Sequence, residues 1–181
     1  CSTMTVTNVS QKKPDLILEQ YFLGKTFASG IFEDRFGNVR RQFTVDIDGT
    51  WDGKTLTLTE DFIFGDGETE TRVWSIEKIA PASYVGTADD VIGSAKGIVS
   101  GNTLNWKYDM RLKVGGSKVK VHFDDWMFLQ PNGVLINKAT VSKLGLDIGR
   151  VTIAFTKKAD ADFLSTISST NKEPLVATLA R

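Results

Sequence analysis

Two stretches of this chain, residues 102–114 and Ser117–Leu129, alternate apolar and polar side chains most cleanly. In the first, Leu104, Trp106, Tyr108, Met110, Leu112 and Val114 fall on one face, and Thr103, Asn105, Lys107, Asp109, Arg111 and Lys113 on the other. A period of two predicts a strand with one wet and one buried face. The second stretch begins the same way with Val119, Val121 and Phe123. It then reaches Asp124-Asp125-Trp126-Met127-Phe128-Leu129, where Asp125 falls on the apolar side. Between them, Val114-Gly115-Gly116-Ser117 reads as a hairpin turn, because glycine supplies the positive φ that tight hairpins need.

The same rhythm recurs from residue 27 onward. Strands are predicted over 27–36, Val39–Trp51, Thr55–Phe64, 70–79, Ser83–Thr87, 95–99, 134–141 and 146–158, each closed by a turn signal such as Gly37-Asn38, Gly65-Asp66-Gly67 or Pro131-Asn132-Gly133. About ten strands in succession, with short loops and no helical spacers, predict an all-β antiparallel meander. Closing it into an up-and-down, lipocalin-like barrel removes the exposed edges; an open sandwich is the alternative. Ahead of the strands, Pro14-Asp15 opens an apolar run over residues 16–23 that Gly24 ends, the signature of a short helix packed on the sheet. Its buried side is either Leu16, Gln20 and Leu23 or Ile17, Tyr21 and Phe22. Residues 1–13 read as an anchor and a polar tether, 14–158 as the barrel domain, and 159–181 as a mobile or helical tail.

Polar residues on inward faces are where this pattern becomes chemical. Arg41 sits among Val39, Phe43, Val45, Ile47 and Trp51; Glu60 among Leu56, Leu58, Phe62 and Phe64; and Asp125 among Val121, Phe123, Met127 and Leu129. Unpaired charges inside a barrel cost several kcal/mol each, roughly, so these three should pair with one another or with a ligand. Three readings follow. Arg41 can hold the acidic head of an amphiphile, since its fork matches carboxylate and phosphate. Glu60 and Asp125 can act as an acid/base pair in hydrolysis. Or the three form a structural network, with a β-bulge at Asp124-Asp125 as a variant that turns one acid outward. Trp106, Tyr108 and Trp126 are the aromatic candidates for lining a ligand cavity, although core packing also uses such residues.

With 181 residues the chain is long enough for one domain with a real core. Lysine plus arginine equals aspartate plus glutamate, 22 each, so the formal charge is zero and no basic surplus points to nucleic acid. The one histidine, His122, lies on a polar strand face and reads as solvated, with no second histidine to make a metal site or triad. Asp48-Gly49-Thr50-Trp51-Asp52-Gly53 superficially resembles a calcium loop, but Thr59 stands where the closing glutamate belongs, so a hairpin turn is expected. No metal or cofactor is implied. The single cysteine is Cys1, followed by a polar stretch, and it reads as the acylated first residue of a processed bacterial lipoprotein.

One further pattern spans residues 16–158. Tyr21-Phe22-x-Gly24 is followed by Gly30-x-Phe32-x-Asp34-Arg35-Phe36-Gly37, Glu60-Asp61-Phe62, Asp66-Gly67 and Trp74. Then come Tyr84-x-Gly86-x-Ala88-x-Asp90-Val91-x-Gly93-x-Ala95-x-Gly97, Gly101-Asn102-x-Leu104-x-Trp106-x-Tyr108, Asp124-Asp125-Trp126-Met127, Ile136-Asn137 and Lys143-x-Gly145. This series resembles the DUF3833 family of proteobacterial lipoproteins. The resemblance implies a lipid anchor at Cys1 and a periplasm-facing domain, and it associates the chain with fatty-acyl chemistry without assigning an activity. Ser2 in place of aspartate favours the outer membrane. The expectation is therefore an envelope protein that binds a fatty acyl or other amphiphilic ligand inside its barrel. A filled barrel serving as a protein-interaction scaffold is the alternative, and a paired-carboxylate hydrolase the third.

Overall fold

A computed structural model of the protein describes residues 3–114 and 116–157. Two single-turn helices, α1 (Val6–Val9) and α2 (Leu18–Tyr21), precede ten strands. These are β1 (Gly24–Asp34), β2 (Val39–Trp51), β3 (Thr55–Phe64), β4 (Thr69–Ala80), β5 (Ser83–Thr87), β6 (Val91–Ser100), β7 (Thr103–Val114), β8 (Ser117–Leu129), β9 (Leu135–Lys143) and β10 (Leu146–Thr156). Each strand pairs antiparallel with the next, and β10 closes onto β1 from Phe27↔Thr156 to Asp34↔Gly149. The result is a closed, lipocalin-like barrel with no free edge, as the meander predicts.

Strand direction sorts the turns. Those joining β1–β2, β3–β4, β5–β6, β7–β8 and β9–β10 gather at one end, and the other four at the opposite end together with α2. That second end is plugged. Leu16, Leu18 and Phe22 are each only 3% exposed, and Phe22 packs edge-on against Phe155 at 5.5 Å. Of the two predicted faces, the first fails, since Gln20 is exposed and Leu23 is 54% exposed, and the second holds in part, with Phe22 buried and Ile17 and Tyr21 half-buried; the remaining buried apolar residues of the run are Leu16 and Leu18. The reason is that Ile17 is extended and the helix lasts a single turn, so helical spacing never becomes established. Gly24 ends it with φ +77, as the sequence indicates. Residues 3–13, read as tether, carry α1, which packs beside β6 and β7. Asn102, buried in the β6–β7 turn, accepts the Gln11 N–H at 2.8 Å and donates its own N–H to the Gln11 carbonyl at 3.0 Å.

Strand β6 is longer than its predicted 95–99 because a register shift between Ile92 and Lys96, with Gly93 at φ +69, breaks the alternation that sequence reading depends on. Strand β8 is regular. Its pairing with β7 and β9 runs unshifted through Asp124 and Asp125, so the bulge does not occur. No helix of the described residues is long and apolar enough to cross a membrane.

Candidate functional site: the barrel cavity

The barrel is not filled. It encloses a cavity of about 970 Å³ that runs from the α2 plug to the open end. Its floor is Leu18, Phe22, Ile47, Leu104, Trp106 and Phe155; its middle includes Phe62, Trp74, Tyr108, Met110 and Phe123. Tyr108 stacks on Phe123 at 5.2 Å and meets Trp74 edge-on at 5.3 Å, so the aromatic wall is interlocked. Trp106 reaches across the floor only because two neighbouring strands leave room. A Cβ on Gly97 or Gly86 would lie 2.3 Å or 2.6 Å from its indole ring.

Glu60 and Asp125 both line this cavity, as their inward phase predicts. Arg41 lines the same cavity but is not paired with either of them. It sits at the rim, stacks on Phe64 with its guanidinium 3.6 Å from the ring centre, and pairs with Glu68 at 2.6 Å and Asp66 at 3.5 Å. Near the end of a strand, an inward position faces the mouth, and the acidic β3–β4 turn is what it meets there. The expectation of an Arg41–Glu60–Asp125 cluster is therefore corrected: Arg72 is the interior cation. It projects from β4 with only 17% of its side chain exposed, and holds Asp90 through Nε (2.9 Å) and Nη2 (2.8 Å). Glu60 stands 3.8 Å from its Nη1, and Glu70 3.6 Å from its Nη2. The signal was present in Arg72-Val73-Trp74-Ser75-Ile76, where arginine shares the phase of Trp74 and Ile76.

Burial pushes the Glu60 carboxyl up to about 7, and Arg72 only partly opposes it because Asp90 holds the better geometry on the same guanidinium. Asp125 is likewise pushed up to about 7 by burial, against hydrogen bonds from Tyr108 and Asn137. Its Oδ2 accepts the Tyr108 hydroxyl at 3.2 Å. Its Oδ1 and the Oδ1 of Asn137 are buried without a hydrogen-bond partner. Two acceptor oxygens in such a setting favour a shared proton, which agrees with the upward direction of the Asp125 shift. Neighbouring Asp124 points outward and accepts from Asn105 Nδ2 at 2.7 Å.

Trp106 and Tyr108 line the cavity, but Trp126 does not: it alternates with Asp125 and pairs with Asn105 and Lys138 on the outer face, where it is buried. A tryptophan adjacent to an inward aspartate has to point the other way, so its place in the predicted ligand set is a phase error. His122 is exposed on the outer face and bonds Asp109 at 2.7 Å, as read. The Asp52 carboxylate accepts the backbone N–H groups of Lys54 and Thr55, which makes the acidic glycine segment a hairpin turn. Sequence reading also missed Glu19, which lies in the apolar run of the plug. It takes hydrogen bonds from Lys78 Nζ and from the Tyr84 hydroxyl at 2.6 Å; burial raises its pKa, but these bonds outweigh it and leave the group below the usual carboxylate range. Cys1 and residues 159–181 lie outside the described residues. Among the described residues, no group of three or more His, Cys, Asp or Glu is placed to hold a metal.

The fold has a solved counterpart. The S-type phycobiliprotein lyase CPES from Guillardia theta superposes with a TM-score of 0.57 over 78% of this chain and 90% of its own, at 6% identity. That is a likeness of fold. No curated protein matches the sequence. A family model does match, described as a protein of unknown function (DUF3833), over residues 1–157. With the barrel and its whole candidate site inside that match, the chain belongs to the DUF3833 family.

Proposed function

We propose that this protein is a lipid-anchored component of the bacterial cell envelope that binds an amphiphile, with a fatty acyl or similarly apolar body, inside its barrel. The observation that carries the reading is the cavity: about 970 Å³, closed at one end by α2, apolar at its floor and open at a charged rim. Pockets of several hundred Å³, mostly apolar with a few fixed polar groups, are the usual form of small-molecule sites. The acyl body lies against Leu104, Trp106, Met110 and Phe155, and the polar end lies toward the Arg72 and Arg41 levels. The lone cysteine, Cys1, supplies the acylation site that the family resemblance implies, and Ser2 favours the outer membrane.

A paired-carboxylate hydrolase is the weaker reading. Asp125 Oδ1 has almost no accessible surface and Oδ2 is bonded to Tyr108, so neither oxygen is free to meet a substrate. The test is native mass spectrometry of the purified protein with displacement of the apolar fluorophore N-phenyl-1-naphthylamine. Co-purified lipid, and displacement by C12 to C18 amphiphiles that Met110→Trp abolishes while leaving the protein folded, is expected. A folded protein that takes up neither lipid nor fluorophore sinks the reading. The anchor is checked separately, by metabolic labelling with an alkynyl fatty acid in a bacterial host, where Cys1→Ser should lose both the label and membrane retention.

A further inference from the structure

The open end of the barrel is divided by charge and by polarity. The β3–β4 and β5–β6 turns carry Asp66, Glu68, Asp89 and Asp90, of which Asp66 and Glu68 pair with Arg41 and Asp90 with Arg72, while among the described residues the one exposed acid beside the β9–β10 turn is Asp147. On the other side of the ring, the β1–β2, β9–β10 and β7–β8 turns carry exposed Arg35, Lys143, Lys113 and Lys118. Among the described residues none of these four basic groups is in an ion pair. The same basic arc carries large apolar side chains at its tips. Phe36 is 74% exposed, Val39 49%, Leu144 94% and Leu146 69%. The two turns bearing them are neighbours, because β1 and β10 pair up to Asp34↔Gly149.

Leu144 is the informative residue. It is the one non-glycine residue at positive φ among the described residues, at +50, and also the most exposed large apolar side chain. Asparagine or glycine would suit both the backbone and the solvent better there, so leucine brings nothing to the folding of this turn. Exposed apolar tips flanked by unpaired cations match the two components of an interfacial lipid surface, an apolar boundary beneath an anionic headgroup layer.

We propose that this sector of the rim, the β1–β2 and β9–β10 turns with basic support from β7–β8, docks on an anionic lipid surface by inserting Phe36, Leu144 and Leu146 below the headgroups. Docking there places the cavity mouth at the membrane. The opposite arc, whose arginines are already engaged by Asp66, Glu68 and Asp90, offers the surface no free cation among the described residues and leaves that side of the mouth clear. The inference adds a second membrane contact to the function proposed above, and its evidence is the rim alone, independent of what the cavity binds.

The experiment uses the full chain carrying Cys1→Ser, so that no acyl anchor contributes. Flotation is measured with vesicles of phosphatidylcholine alone and with about one-third phosphatidylglycerol. Binding to the anionic vesicles, weakened by about 0.5 M salt, is expected. The double variants Leu144→Ser/Leu146→Ser and Arg35→Glu/Lys143→Glu should each lower partition by about tenfold or more. Ile98→Ser, an exposed apolar position on the side wall, should leave it unchanged. Retained uptake of N-phenyl-1-naphthylamine shows that the rim variants are folded and separates this result from ligand binding. Equal flotation of the rim variants and the parent overturns the proposal, as does no flotation with anionic vesicles. A dimer in solution that the rim variants abolish, without vesicle binding, assigns the patch to a second copy and overturns it too.

Discussion

Arg41 and Arg72 show how one residue type takes two energetic roles within one cavity wall. Arg72 is nearly enclosed and holds Asp90 and Glu60, so removing it leaves buried acids without their counter-charge. Arg72→Met is expected to destabilise the protein by about 3 kcal/mol, within the range for breaking a buried pair. Arg41, with 35% of its side chain exposed and partners that are 55% and 70% exposed, contributes little through charge. Arg41→Met should cost below about 1 kcal/mol. Chemical denaturation of the two variants checks the ranking, and equal losses would contradict the assignment of Arg72 as the interior cation.

Asp125 and Glu60 make a second residue-scale prediction. Each has a folded pKa of about 7, raised from ordinary values of 3.8 and 4.5. Through that interval the folded state holds protons that the unfolded state has released, so stability falls as pH rises. The stabilising contribution is fully present below about pH 4 and is lost by about pH 7. Asp125→Asn, which cannot ionise, is expected to flatten this decline. Its melting temperature should exceed the parent's at pH 8 and match it near pH 4. Thermal melts across that range measure it, and a parallel downward shift at every pH would refute it.

At the scale of elements, the barrel depends on a small plug meeting a wall with no side chain in its way. Helix α2 is too short to be stable alone, and its position is set by Leu18 and Phe22 inside the barrel and by Glu19 against Lys78 and Tyr84. Gly49 of β2 is the contact that permits this, since a Cβ there would fall 1.7 Å from the Phe22 carbonyl oxygen. Gly49→Ala should therefore displace the plug, at a cost of about 2 kcal/mol, and open the floor of the cavity. Hydrogen exchange would then rise in residues 16–24 while the β7–β8 hairpin stays protected. Unchanged exchange in the plug would show that the wall yields instead.

On the scale of the whole molecule, ten strands closed on themselves enclose more volume than their side chains fill. A ligand that binds only the closed barrel stabilises it by mass action, by about 2.7 kcal/mol at a hundredfold excess over Kd. If the cavity holds the amphiphile proposed above, protein stripped by solvent extraction is expected to melt at a lower temperature than protein as purified, and to recover on adding a long-chain amphiphile. Scanning calorimetry before and after solvent extraction measures this. Identical melting of both forms would mean that the cavity is not the binding site.

Much of this architecture was legible in residue order alone. Alternation in β2, β3, β7 and β8, together with turn residues at regular spacing, determines that these segments are strands and that they follow one another antiparallel. It also determines that Glu60, Trp106 and Tyr108 face inward, because side-chain phase is a local property of extended chain, whereas Asp125 was open to a bulge until the unshifted pairing of β8 with β7 and β9 placed it inside. Phase is also why Trp126 faces out. What the pattern could not supply is depth along the barrel axis and distance between strands far apart in sequence. Arg41 and Arg72 share an inward phase and lie near the same end of the barrel, yet Arg41 is half-exposed against the β3–β4 turn while Arg72 is enclosed by Glu60, Glu70 and the Asp90 of the β5–β6 turn, and only the packing of those separate segments fixes which is which. The register shift in β6 hid part of that strand for a related reason: a bulge breaks the alternation. Whether the interior would be packed or hollow was likewise undecided, since the same apolar faces serve both. Barrel circumference, set by ten strands and their tilt, decides the interior volume, and that is a property of the closed sheet rather than of any segment within it.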